Sequence, residues 1–277
     1  MAALLALGGA FCWGVGDFLG GLAARRIAVL TVIAVSQAVG LAALAAWVGL
    51  AGEPFPGSLE LLPAAGAGVA VLVGVAALYR GLAIGAMGIV APISAAGPVV
   101  PLVVDAAQGK TPSVPQWLGI VLVLFGIATL SRESSSSGKR QLTTGAGLAV
   151  VAALGFGIFI VGIDAASDES ATWAVLAARC VAVPLALVAA LATSTTLRPP
   201  TDMWRVLVTV GLVDTFANVL VATATSHGAA GIVAVLSSLY PVVTIVLARI
   251  LLAERLSVQK RIGGVVALAG AAFVAAG

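Results

Sequence analysis

Charge is what this chain has least of. Only 9% of its 277 residues are Asp, Glu, Lys or Arg, against roughly 25% in soluble domains. So few charges cannot coat a water-exposed body of this size, which excludes a soluble globule. Histidine occurs once, at His227, which excludes a metal centre built on histidines. Cysteine occurs twice, at Cys12 and Cys180, each inside an apolar stretch, which argues against a disulfide framework. A nucleophile elbow and a zinc-protease motif are both missing. Gln108-Gly109-Lys110-Thr111 imitates the tail of a phosphate-binding loop, but Val104 stands where its first glycine is required. These absences give no reason to expect an enzyme, a bound metal, a cofactor or an ATP-driven pump.

What remains is apolar. Hydrophobic residues make up 61% of the chain and the mean hydropathy is +1.17, so lipid is the expected solvent for most of it. A membrane-spanning helix needs about 20 apolar residues. Apolar runs separated by short polar or Gly/Pro breaks predict ten of them, at 2–23, 28–51, 61–83, 86–108, 115–131, 142–163, 171–193, 203–225, 229–252 and 259–276. Helix is the only open structure that satisfies its own backbone in hydrocarbon, and the short alternating segments of a β-barrel are missing. The fold class expected is therefore an all-α polytopic membrane protein. The first apolar run has no basic segment before it and is read as a span rather than a signal peptide.

The formal net charge is +3, but the basic residues stand singly or in pairs at helix ends, so nucleic acid is not an expected partner. Their sidedness carries the information. With the N-terminus outside, the cytoplasmic loops hold Arg25, Arg26, Arg80, Arg132, Lys139, Arg140, Arg198, Arg205, Arg255, Lys260 and Arg261. The opposite side holds Lys110 with Glu53, Glu60, Asp164, Asp168 and Glu169. The positive-inside rule then predicts a cytoplasmic-membrane protein with both termini outside.

A polar stretch from Arg132 to Arg140, rich in serine, divides five predicted helices from five. The expected organisation is a first repeat at 1–133, a cytoplasmic linker at 134–141 and a second repeat at 142–277. The repeats are related in sequence. Gly85 to Ala91 matches Gly228 to Ala234, and in the same register Ser94 falls on Ser237, Pro98 on Pro241 and Gln116 on Gln259. The opening helices align more weakly, with Gly14, Gly16 and Gly21 set against Gly155, Gly157 and Gly162. Five helices per half force the second half to thread the membrane in the opposite sense. Inverted repeats of this kind are a transporter architecture with the solute site near the midplane, so a small-molecule solute and the lipid bilayer are the expected partners.

The second half reads Ala-Val-Leu-Ser-Ser-Leu-Tyr-Pro-Val-Val-Thr at 234–244 and Leu-Leu-Ala-Glu-Arg-Leu-Ser at 251–257, followed by Gln259 and Gly263. The first half carries Trp13-Gly14 and the Pro98 segment. These stretches resemble the EamA repeat of the drug/metabolite transporter superfamily across nearly the whole chain. The resemblance implies a carrier of metabolites, amino acids or drugs, often an exporter, with a central cavity lined largely by the first, third, fourth, sixth, eighth and ninth predicted helices. Glu254 has no partner in the first half, where Gln108 to Thr111 stands instead.

An ionised group at the bilayer centre costs roughly 2.5–3.5 kcal/mol on insertion scales, so each one needs a reason. Asp17, Arg179 and Asp214 are the three clear cases. Asp17 with Trp13 one turn earlier suits an organic cation or amine, by charge pairing and cation–π attraction; the alternative is packing towards Arg25 and Arg26. Asp214 with Asn218 on the same face is either a substrate or proton site or the partner of Arg179 in a structural ion pair. Protons are the candidate coupling ion. Pro92, Pro98, Pro101 and Pro241 are expected to kink their helices, exposing carbonyls beside Ser94, Ser237, Ser238 and Thr244 or simply shaping the packing. Tyr240 is a candidate cavity aromatic. Ser36 and Gln37 are expected to bond between helices, and Gly16-x-x-x-Gly20 to admit a close neighbour. Asp105, Arg249 and Glu254 are expected at the membrane interface. The oligomeric state expected is a monomer or weak homodimer. The function predicted is secondary transport of a small amphiphilic, zwitterionic or cationic metabolite, in the direction of export. The rival classes are a channel or lipid scramblase and an integral membrane enzyme.

Overall fold

The computed structural model describes residues 1–84, 93–94, 96–131, 139–252 and 257–277. Every regular element in them is helical. They are α1 (Ala2–Ala24), α2 (Val29–Ala51), α3 (Leu62–Ile84), α4 (Val99–Ala107), α5 (Val114–Ser131) and α6 (Lys139–Ser167). After them come α7 (Ala171–Ala192), α8 (Trp204–Thr225), α9 (Ala230–Ser237), α10 (Tyr240–Leu251) and α11 (Val258–Ala276). A single 3-10 turn, Thr201–Met203, leads into α8.

Among the described residues, seven helical segments are long and apolar enough to cross a membrane, with α9 and α10 counted together as one such segment over Ala230–Leu251. Leu62–Leu78 and Val114–Thr129 are apolar but shorter. Large side chains such as Leu50, Val121, Phe125 and Ile250 are exposed on the outer surface. That surface suits lipid and not water. This is an integral membrane protein.

Two predicted spans lose regular helix beside their prolines. The ninth, expected as one helix over 229–252, stops at Ser237 and restarts at Tyr240, with Pro241 in the first turn of α10. Proline has no N–H to give and its ring fits the opening turn of a helix, so the break forms before it. The fourth shows the same device, for Pro98 caps α4 and Pro101 lies in its first turn. The proline that does lie inside a helix is Pro184 in α7. Pro92, Glu254 and most of the predicted 134–141 linker lie outside the described residues. α6 nevertheless begins at Lys139, within that stretch, and continues past its expected end to Ser167, so Asp164 is helical.

The helices pack with their roles exchanged between the halves. α1 lies along α8 and α3 along α6, while α5 and α11 lie along each other. A Cβ added at Gly14 would sit 2.7 Å from the Tyr240 carbonyl oxygen and 2.5 Å from Val243 Cβ. At Gly157 it would sit 2.6 Å from the Gly97 carbonyl oxygen and 2.5 Å from Val100 Cβ. The register that sets Pro98 on Pro241 sets Gly97 on Tyr240 and Val100 on Val243. The contacts therefore make Gly157, not Gly155, the counterpart of Gly14.

Close backbone approach explains much of the glycine content. A Cβ at Gly126 would lie 2.7 Å from the Gly263 carbonyl oxygen, and one at Gly270 would lie 2.7 Å from that of Gly119. Gly16 has nothing within 4 Å, so Gly16-x-x-x-Gly20 is not a tight contact in this chain. We expect Gly126→Ala to cost about 1–3 kcal/mol through overpacking. Gly16→Ala should instead match or exceed the parent, because alanine is the better helix former by roughly 1 kcal/mol. Thermal unfolding in detergent, followed by tryptophan fluorescence, ranks the two; equal losses would refute the packing argument.

Candidate functional site

The interior of the bundle contains a cavity of about 310 Å³, at the lower end of the range of small-molecule sites. Each wall traces to a local feature of the chain. From α1 come Trp13 and Asp17, four residues apart and so on one face. From α8 come Asp214 and Asn218, again one turn apart, and α7 supplies Arg179. The two interrupted spans contribute at their breaks. Ser94 and Pro98 come from one; Ser237, Ser238 and Tyr240 come from the other.

Arg179, Asp214 and Gln37 form a closed ring. Arg179 Nη2 donates to Asp214 Oδ2 at 2.7 Å, Arg179 Nη1 donates to Gln37 Oε1, and Gln37 Nε2 donates to Asp214 Oδ2 at 3.1 Å. Arg179 is 4% exposed. A guanidinium so buried has to be paired, and here both of its terminal nitrogens are. Asn218 turns back onto its own helix, donating to the Asp214 carbonyl oxygen at 2.7 Å.

Asp17 is placed differently. Its side chain is exposed on the cavity wall, and among the described residues it has neither a hydrogen-bond nor an ion-pair partner. The packing towards Arg25 and Arg26 considered from the sequence is not formed, for Arg26 instead faces Asp202 at 3.6 Å on the surface. Asp17 lies within electrostatic reach of Asp214. On the same cavity wall the Trp13 and Tyr240 rings meet edge to face, with centroids 6.4 Å apart and planes at 83°. Thr244 secures that corner by donating to the Gly14 and Tyr240 carbonyl oxygens, each at 3.1 Å. With both carboxyls ionised, the described lining residues supply two negative charges and one positive, and the positive one is bound to Asp214. Among the described lining residues, the charge left without a partner is the Asp17 carboxylate, one helical turn from Trp13.

Two buried polar atoms on this wall, Ser237 Oγ and Arg179 Nε, have no hydrogen-bond partner among the described residues. The rest of the lining is apolar and comes largely from α3 and α6, including Leu72, Val75, Phe156 and Phe159.

The fold and the cavity can now be set beside known proteins. The EamA-like transporter family matches residues 1–132 and again 143–276. This chain belongs to the EamA-like transporter family. The family matches the chain twice, so its membrane-transporter fold spans nearly the whole chain. A protein solved by crystallography shares that fold, with a TM-score of 0.83 at 17% identity over 99% of this chain and 98% of its own. No curated protein matches.

All seven residues named from the sequence as binding candidates, Trp13, Asp17, Ser94, Asn218, Asp214, Ser237 and Tyr240, line this one cavity of the EamA-like chain. Of the described prolines singled out from the sequence, Pro98 reaches it, while Pro101 and Pro241 lie in the opening turns behind the breaks. Gln37, expected only as a bond between helices, is part of the ionic ring, whereas Ser36 bonds within its own helix to the Ile33 carbonyl oxygen at 3.3 Å. Sequence reasoning missed Phe156, Phe159 and the α3 residues. Helices surrounded by lipid are apolar on every face, so no amphipathic stripe marks the side turned to the cavity.

Proposed function

We propose that the chain is a secondary transporter that carries a small amine-bearing amphiphile by alternating access, with Asp17 as the group that recognises the positive charge. The observation that carries this reading is the Asp17 carboxylate, unpaired among the described residues and one helical turn from Trp13, in a cavity where Arg179, the cation among the described lining residues, is already held by Asp214. A desolvated ammonium gains there from charge pairing and from cation–π attraction worth up to about 2 kcal/mol. Phe156, Phe159 and the α3 residues receive the apolar body.

Alternating access needs two similar packings of one chain. The exchanged contacts of α1 with α8 and α3 with α6 support two repeats inserted in opposite senses. In this reading ten helices cross the cytoplasmic membrane, the stretch at 134–141 joins the halves, and both termini lie outside. Export is the direction proposed, protons are the coupling ion exchanged at Asp17, and the carrier acts as a monomer or weak homodimer.

A second cargo class, an amino acid, is favoured by one observation. Arg179 Nε is buried without a partner among the described residues and offers a carboxylate one more donor. Ligand-induced thermal stabilisation of the purified protein separates the two classes, because a ligand at 100 times its Kd adds about 2.7 kcal/mol. Aromatic and quaternary amines should raise the unfolding temperature while zwitterionic amino acids leave it unchanged. Stabilisation by amino acids alone would refute the proposed role of Asp17.

A further inference from the structure

The bundle holds a second recess, of about 500 Å³, lined by Val104, Gln108, Lys110, Asp164, Asp168 and Ala229 among others. α9 stands between it and the central cavity. Ala229, just ahead of α9, faces the recess, while Ala234 and Ser237, towards its far end, face the cavity. Gly231 lies between these two sets and is fastened to α4. Its N–H donates to Asp105 Oδ2 at 2.6 Å, and it rests so closely on Leu102 that an added Cβ would lie 2.8 Å from Leu102 Cα. Asp105, expected from the sequence at the membrane interface, is in fact 2% exposed. A carboxylate in the first turn of a helix satisfies one of its free N–H groups and the positive end of its dipole together, so this is a charge-assisted bond joining the first half to the second.

In sequence the other half carries no matching carboxylate, and Gly88, the match of Gly231, lies outside the described residues. The register that sets Pro98 on Pro241 sets Asp105 on Ala248, which has no side-chain acceptor to offer. We infer that the α4–α9 contact is the gate between the recess and the cavity and that Asp105 is its latch, a positioning residue that biases the carrier towards the state closed on the side of Lys110, Asp164 and Asp168. On this reading the two gates differ in sequence, with a carboxylate at one and Ala248 at the matching position of the other. The inference rests on the alternating-access reading given above.

Accessibility of the cavity from each face tests it. In a Cys12→Ala, Cys180→Ala background, Ala182→Cys places one thiol on the cavity wall, and a membrane-impermeant maleimide is added to oriented vesicles from either side. The parent should react from both faces. Asp105→Ala should raise the ratio of recess-side to opposite-side labelling by about 10–100-fold, the worth of one charge-assisted hydrogen bond. Asp105→Asn keeps an acceptor without the charge and should shift the ratio by a smaller factor in the same direction, which covers the case in which the alanine variant does not fold. A ratio within twofold of the parent in the folded variants would overturn the latch and leave alternating access standing. Labelling of the parent from one face alone would overturn both.

Discussion

Asp17→Asn is expected to weaken binding of a monovalent amine by about 10–100-fold while leaving the folded state intact. A charged hydrogen bond is worth about 1.5–3 kcal/mol, and tenfold in affinity corresponds to about 1.4 kcal/mol. Nothing compensates for the loss, because Asp214, the other carboxylate of the cavity, is already bonded to both Arg179 and Gln37. The fold should survive because Asp17 has no partner among the described residues to strand. The same variant carries the pH signature. Protons and the amine compete for one carboxylate, so amine affinity should fall as pH falls, and asparagine should abolish that slope. Titration calorimetry at several pH values reads both effects. A slope that persists in Asp17→Asn would remove this residue from the coupling.

The opposite behaviour is expected at Arg179. Arg179→Leu leaves the Asp214 carboxylate facing a largely apolar interior with only Gln37 to bond it, and breaking a buried pair by removing one partner costs about 3–5 kcal/mol. The double variant Arg179→Leu/Asp214→Leu removes both charges and should recover most of that loss, since replacing a whole buried pair by apolar residues is often neutral. Thermal unfolding in detergent completes the cycle. If the double variant is as unstable as the single one, the pair is not the structural unit argued for here. These two acids, both near mid-helix in apolar sequence, thus divide their work, one holding three helices together and the other left for the cargo.

The sequence announced these roles unevenly. Asp17, Asp214 and Arg179 were conspicuous because ionisable residues are rare in hydrocarbon, and the scarcity that marks the chain as a membrane protein marks its cavity too. That Arg179 lies on Asp214 and not on Asp17 depends on the relative rotation of α7 and α8, which no local pattern encodes. The interrupted spans were legible only as prolines: Pro98 and Pro241 reveal where a helix is disturbed, but whether it bends or restarts depends on the neighbours that accept the freed backbone groups. Asp105 was misread because it stands a few residues from the end of its span, where a carboxylate usually meets the interface. Its partner is an N–H group of Gly231, far away in the sequence, and glycine's lack of a side chain is what brings α4 close enough for the bond. Glycine spacing alone was equally mute, since Gly16 and Gly14 read alike while only Gly14 touches a neighbour.

Solute counterflow is the most direct test of a single cavity that serves both faces in turn. Proteoliposomes preloaded with an unlabelled aromatic amine should take up the labelled amine faster than empty ones, with saturation, and Asp17→Asn should eliminate the acceleration. Flux that rises linearly with concentration and ignores preloading would contradict the account and indicate a pore.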